Sequence, residues 1–130
     1  MRLEIDVRDI VGDRRDSVLA KIEAAAQAIC NRRKIGCELE LLNADPPARC
    51  DPKIVNVLSD VCAAHNLRSE PMISRAYHDS LFMSRIVPTG MIFVPCRAGV
   101  SHRPDEYSSP EAIARGASVL ASALARLASE

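Results

Sequence analysis

The chain has no tryptophan, only two tyrosines and two phenylalanines among 130 residues. So few rings leave little to stack on bases, and leave the core to Ala, Val, Ile and Leu. Net charge is also missing, because seventeen basic residues balance seventeen acidic ones. Without a cationic excess nothing favours a nucleic-acid or anionic-membrane partner. No apolar run approaches the roughly 18 residues of a spanning helix, and no signal-peptide pattern is read at the start. The five cysteines, at positions 30, 37, 50, 62 and 96, are odd in number and contain no C-x-x-C pair. That spacing argues against a zinc knuckle, a thioredoxin-like redox domain and a complete disulfide framework; mostly buried free thiols are the expectation.

What is present suggests an α/β fold. Leu3, Ile5 and Val7 alternate with Glu4, Asp6 and Arg8, the period-two pattern of a strand with one covered face. Val18, Ile22, Ala25, Ala26 and Ile29 then recur at helical spacing, predicting a helix from about Asp16 to Asn31 with Gly36 as its C-cap. Cys37, Leu39 and Leu41 alternate again as a second strand. This β-α-β pattern ends at Asn43-Ala-Asp-Pro-Pro-Ala48, where two prolines in a polar stretch mark the best boundary in the chain. Asp51-Pro52 opens a second helix, with Ile54, Val55, Leu58, Val61 and Cys62 as its apolar stripe, fading near His65-Asn66. His65 reads as structural. Met72 and Ile73 suggest a short strand. A last helix is predicted from Ser109-Pro110 to about Ala128, with Ile113, Ala117, Leu120, Leu124 and Leu127 on one face.

The most informative stretch lies between, from Ser74 to Glu111. It sets His78 and His102 on either side of the apolar run Gly90-Met-Ile-Phe-Val94, which is bounded by Thr89-Gly90 and Pro95 and reads as a buried strand. His102 follows in a loop just beyond the run's carboxyl end, where open α/β sheets bind ligands. A histidine turn, a buried strand, a histidine loop and a helix make a site. Read without further context, His102 would be a solvated loop residue, His78 a turn cap and Tyr77 a packing residue.

Three segments resemble a known family: Tyr77-His78-Asp79-Ser80, Gly90-Met-Ile-Phe-Val-Pro95, and Gly99-Val-Ser-His-Arg-Pro-Asp-Glu-Tyr-Ser-Ser-Pro-Glu111. They are similar to the carboxyl-terminal signature of metal-dependent amidohydrolases of the aminoacylase/carboxypeptidase-like metallopeptidases. That group includes allantoate, ureidoglycolate and N-carbamoyl-amino-acid amidohydrolases. The form Ser74-Arg-Ala-Tyr-His-Asp-Ser80 resembles the plant ureidoglycolate branch most. The resemblance implies that residues 1–45 are the last β-α-β of a lid and dimerisation domain, and residues 46–130 the closing portion of an α/β catalytic domain.

The resemblance also implies roles. His102, in Gly99-Val-Ser-His-Arg-Pro104, would be a metal ligand; a neutral imidazole suits zinc or manganese. His78 would reach the substrate and donate to an oxygen that gains charge, and Tyr77 would line the substrate pocket. Arg8, in Ile5-Asp-Val-Arg8, would hold a substrate carboxylate, for which a planar guanidinium is suited. Asp79 would orient His78 or open a short helix, and a supporting role stays open for one carboxylate near His102, Asp105 or Glu106. The complete enzyme would use two metal ions, act on a ureido acid such as ureidoglycolate or allantoate with release of ammonia, and form a homodimer. If plant-like, it would reside in the endoplasmic reticulum through a segment upstream. The chain has no H-x-D or Glu-Glu motif, so it carries part of a metal site and is expected to be inactive alone. A non-catalytic binding or dimerisation module is the alternative.

Overall fold

A computed structural model describes residues 2–129. Its regular elements are α1 (Gly12–Arg33), α2 (Pro52–Ala64), α3 (Ser80–Met83) and α4 (Pro110–Leu127), with a 3-10 turn at Arg97–Gly99. The α/β expectation is therefore wrong for this chain: among the described residues there is no strand and no sheet. A period-two pattern shows which face seeks cover, but a strand exists only through the hydrogen bonds of a neighbour. Here the alternating residues apart from half-buried Val7 stay uncovered, with Leu3 at 73% and Leu41 at 58% exposure. Met72 and Ile73 are irregular and exposed for the same reason. The run after Gly90 is also irregular, with Phe93 exposed and Met91, Ile92 and Val94 half-buried.

The chain divides into two compact units. The first comprises residues 2–48 with Ile73–Tyr77. Helix α1 begins four residues earlier than its apolar spacing suggests, after an Asx turn in which Val11 N donates to Asp9 Oδ1 at 2.9 Å. Asp13 in its first turn and Arg32 and Arg33 in its last complement the helix dipole. Its inward residues are Leu19, Ile22, Ala26 and Cys30, whereas Val18, Ala25 and Ile29 face water. Lys34, not Gly36, takes the left-handed closing conformation, at φ 55°. Ile35 N then donates to Cys30 O at 3.1 Å, the Schellman closure. Residues 73–77 join this unit through Arg8, whose Nη1 donates to Arg75 O at 2.6 Å, and through Tyr77, whose hydroxyl donates to Asp45 Oδ2.

The second unit comprises Arg49–Met72 with residues 78–129. Asp51 caps α2 as its sequence suggests, Oδ1 accepting from Lys53 N at 2.8 Å and Ile54 N at 3.2 Å. Ser109 Oγ caps α4 by accepting from Ala112 N at 3.2 Å. The two helices pack together through Val57, Val61, Val119 and Ala123, flanked by Leu58, Cys62, Leu67, Ile92 and Leu127. His65, closing α2, meets Ser122 Oγ through Nε2 at 2.9 Å, a structural role. The face of α4 chosen by the core is not the bulky one expected. Val119 is 2% exposed, whereas Leu124 is 58% exposed and Ile113 and Leu120 also face solvent. Small residues let the backbones approach, and the run 90–94 uses the same device. A side chain at Gly90 would collide with Ile54 of α2, and one at Gly116 with Val94.

Candidate functional site

Two loops of the second unit carry the histidines, and the run 90–94 separates them in sequence. His78 precedes α3, its carbonyl accepting from Leu81 N at 2.9 Å. Asp79 opens that short helix, with its carbonyl accepting from Phe82 N at 2.9 Å and Met83 N at 3.1 Å. Ser80 Oγ reaches Met91 Sδ at 2.8 Å, fastening the turn to the apolar run.

His102 lies in a loop whose ends are tied: Arg97 N donates to Tyr107 O at 2.8 Å, and the Arg97 guanidinium sits over the Tyr107 ring at 5.3 Å. Within it Arg103 forks onto Asp105, with both bonds at 2.9 Å. His102 adopts φ 58°, a left-handed conformation disfavoured for a residue with a Cβ. Its N–H donates to Glu106 Oε2 at 2.8 Å, so the carboxylate four residues on holds the strained position. The sequence leaves one nearby carboxylate in a supporting role; the geometry picks Glu106 for the backbone of His102, and Asp105 for Arg103.

The outcome is that His78 and His102 meet. Their ring centroids are 5.9 Å apart, tilted at 58°, and Phe93 lies 5.8 Å from His78 on an equally tilted plane. His78 is half-buried against these rings and His102 is exposed. Phe93 was not singled out by sequence reasoning; its place in the run between the two histidines is the signal that could have found it.

Arg8 and Tyr77 belong to the first unit. The Arg8 fork already grips a carboxylate: Nε and Nη2 donate to Asp6 Oδ2 at 2.8 and 2.5 Å. That hydrogen bond, helped by the opposite charge, holds the Asp6 carboxyl below its ordinary value and raises the guanidinium above its own. The Tyr77 hydroxyl bonds Asp45 and accepts from Asn43 Nδ2 at 3.4 Å. Asp45 O in turn accepts from Arg15 Nη1. Elsewhere in the second unit an open depression of about 380 Å³ is lined by Arg49–Pro52 and Ser84–Thr89; neither histidine lines it.

Among the described residues, no three His, Cys, Asp or Glu side chains are grouped to hold a metal ion, and no helix is long and apolar enough to cross a membrane. The cysteines are free, but only Cys30 is buried, which corrects the expectation of mostly buried thiols. An apolar stripe does not place a cysteine inside when its segment finds no partner, as at Cys37.

Residues 4–126 match the model of Peptidase family M20/M25/M40. The chain belongs to this family. M20/M25/M40 enzymes generally depend on divalent metals. Among its relatives are a ureidoglycolate hydrolase of Arabidopsis thaliana, 50% identical over 96% of this chain and 26% of the relative, and an allantoate amidohydrolase of Escherichia coli, 33% identical over 83% and 26%. The chain thus spans about a quarter of the length of the curated relatives it matches. A crystal structure described as AtUAH in complex with (S)-hydroxyglycine superposes with a TM-score of 0.84 at 48% identity, covering 95% of this chain and 29% of that one.

Proposed function

We propose that this chain is the carboxyl-terminal part of a metal-dependent amidohydrolase that releases ammonia from a linear ureido acid, ureidoglycolate or allantoate. The observation carrying this reading is the juxtaposition of His78 and His102, 5.9 Å apart on separate loops, in a chain half identical to a ureidoglycolate hydrolase. His102 is exposed and its backbone is held by Glu106, so its imidazole is presented rather than packed. In the proposal it supplies one ligand to zinc or manganese, and the other ligands come from residues outside this chain. When bound, such an ion lowers the pKa of a water and polarises the scissile carbonyl.

His78 has a different task. Partly covered and backed by Phe93, it would donate to the oxygen that gains charge. Arg8 would take the substrate carboxylate by exchanging it for Asp6, its present partner of the same chemistry. Tyr77 would border the substrate while bonded to Asp45. Residues 1–45 would serve as the lid and dimerisation part of a homodimer and residues 46–130 as the catalytic part; the exposed Leu3, Ile5, Leu39 and Leu41 supply apolar surface for the first.

The test combines this chain with the remaining portion of such an enzyme, measuring bound metal, ammonia release, kcat and KM. His102→Ala should lose metal and activity together. His78→Ala should keep its metal and lose about 10²–10³ in kcat, the worth of one oxyanion donor. Full metal content and normal turnover in His102→Ala would overturn the ligand assignment.

A further inference from the structure

We infer that Asp6 is an internal competitor for the substrate, a resident carboxylate on the edge of Arg8 that an incoming carboxylate must displace, and so a residue that sets substrate affinity. This rests on the role proposed above for Arg8 and adds what that side chain gives up on binding. Both residues are exposed and lie two positions apart in the first unit. One edge of the guanidinium is filled: Arg8 Nε donates to Asp6 Oδ2 at 2.8 Å and to Oδ1 at 3.1 Å, and Nη2 donates to Oδ2 at 2.5 Å. An incoming carboxylate needs the same thing, two adjacent N–H groups in one plane.

The remaining nitrogen decides whether Asp6 positions Arg8 or competes for it. Nη1 donates to Arg75 O at 2.6 Å, a contact to main chain 67 residues away. That carbonyl holds the guanidinium against the segment Ile73–Tyr77 whatever occupies the other edge. Removing Asp6 therefore vacates the Nε–Nη2 edge and leaves the anchor in place. The neighbouring acids are engaged elsewhere, Glu4 with Arg2 at 3.0 Å and Asp9 with Arg14 at 3.5 Å. Exchanging Asp6 for a substrate carboxylate conserves both charge and hydrogen bonds, so the bond to Arg8 contributes only the difference between two like partners. Because the pair is exposed, its strength as a competitor is a factor of about two to five.

The experiment is a double-mutant cycle in the complete enzyme, with kcat and KM for ureidoglycolate read from ammonia release. Arg8→Ala should raise KM. Asp6→Ala should lower KM about two- to fivefold, with the change falling on KM rather than kcat. Asp6→Asn, which keeps an acceptor oxygen but not the charge, should fall between. In the Arg8→Ala background the Asp6 substitution should no longer lower KM, because the edge it vacates is gone. An unchanged KM in Arg8→Ala removes the role of Arg8 and this inference with it. If Arg8→Ala raises KM but Asp6→Ala leaves it unchanged or raises it, the role of Arg8 stands and the competition is refuted. The same is true if Asp6→Ala lowers KM equally with and without Arg8.

Discussion

Gly116→Ala sets two effects of known size against each other. Glycine inside a helix costs about 0.8–1.0 kcal/mol relative to alanine, so the replacement should by itself stabilise α4. But the new Cβ would fall on Val94 Cγ1, far inside contact distance. Valine is stiff at χ1, so relief needs a changed rotamer or a shift of the run 90–94, and overpacking of this kind costs about 1–3 kcal/mol. The clash should win, leaving a net loss of about 1 kcal/mol. A double-mutant cycle isolates the cause. Once Val94→Ala has removed the obstructing methyl, Gly116→Ala should become stabilising by about 1 kcal/mol. Urea titrations followed by far-UV circular dichroism on the four proteins supply the numbers. Stabilisation by Gly116→Ala in the wild-type background would refute the reasoning, and with it the close seating of the run 90–94 on α4.

Three further outcomes are expected. Glu111→Gln should flatten a pH response: its own backbone N–H, then the Ser109 hydroxyl, lower its carboxyl, so its contribution to α4 is complete above the unfolded carboxylate value and lost as pH falls through the lowered one; an acid titration of helicity, wild type against variant, reads this. Asp51→Ala should cost about 1 kcal/mol through the two uncapped N–H groups of α2, measured by thermal melting. Glu106→Ala should leave stability nearly unchanged but speed amide exchange at His102 by about fivefold, the effect of losing roughly 1 kcal/mol of hydrogen bonding; unchanged exchange would show that the loop keeps its shape without the carboxylate.

Helix starts were the most legible part of this sequence, because their causes are local. Asp51-Pro52 and Ser109-Pro110 carry cap and first-turn residue side by side, and both caps are made. Which face would be buried was less legible. Periodicity marks a broad apolar arc on α4, and close approach of α2 selected Val119 and Ala123 over Ile113, Leu120 and Leu124. Strands were illegible in principle, since alternation at Leu3, Ile5 and Val7 is silent about whether a neighbour exists. At the site, the meeting of His78 and His102 follows from motifs the sequence displays openly. Tyr77 with Asp45 depends on residues 32 apart approaching one another. Arg8 with Asp6 was within view, because positions two apart share a face of an alternating segment.

The tied ends of the loop Arg97–Tyr107 have a consequence for how such a chain can change over generations. With Arg97 N fixed on Tyr107 O, the chain leaves the loop at the point where it enters, so residues inserted between them need not displace α4. The entropy of closing a loop grows only logarithmically, and doubling its length costs about 0.6 kcal/mol. The segment bearing His102 therefore behaves as a cassette. Away from His102 and Glu106 its composition and length are open to drift and selection, while the helices keep their register.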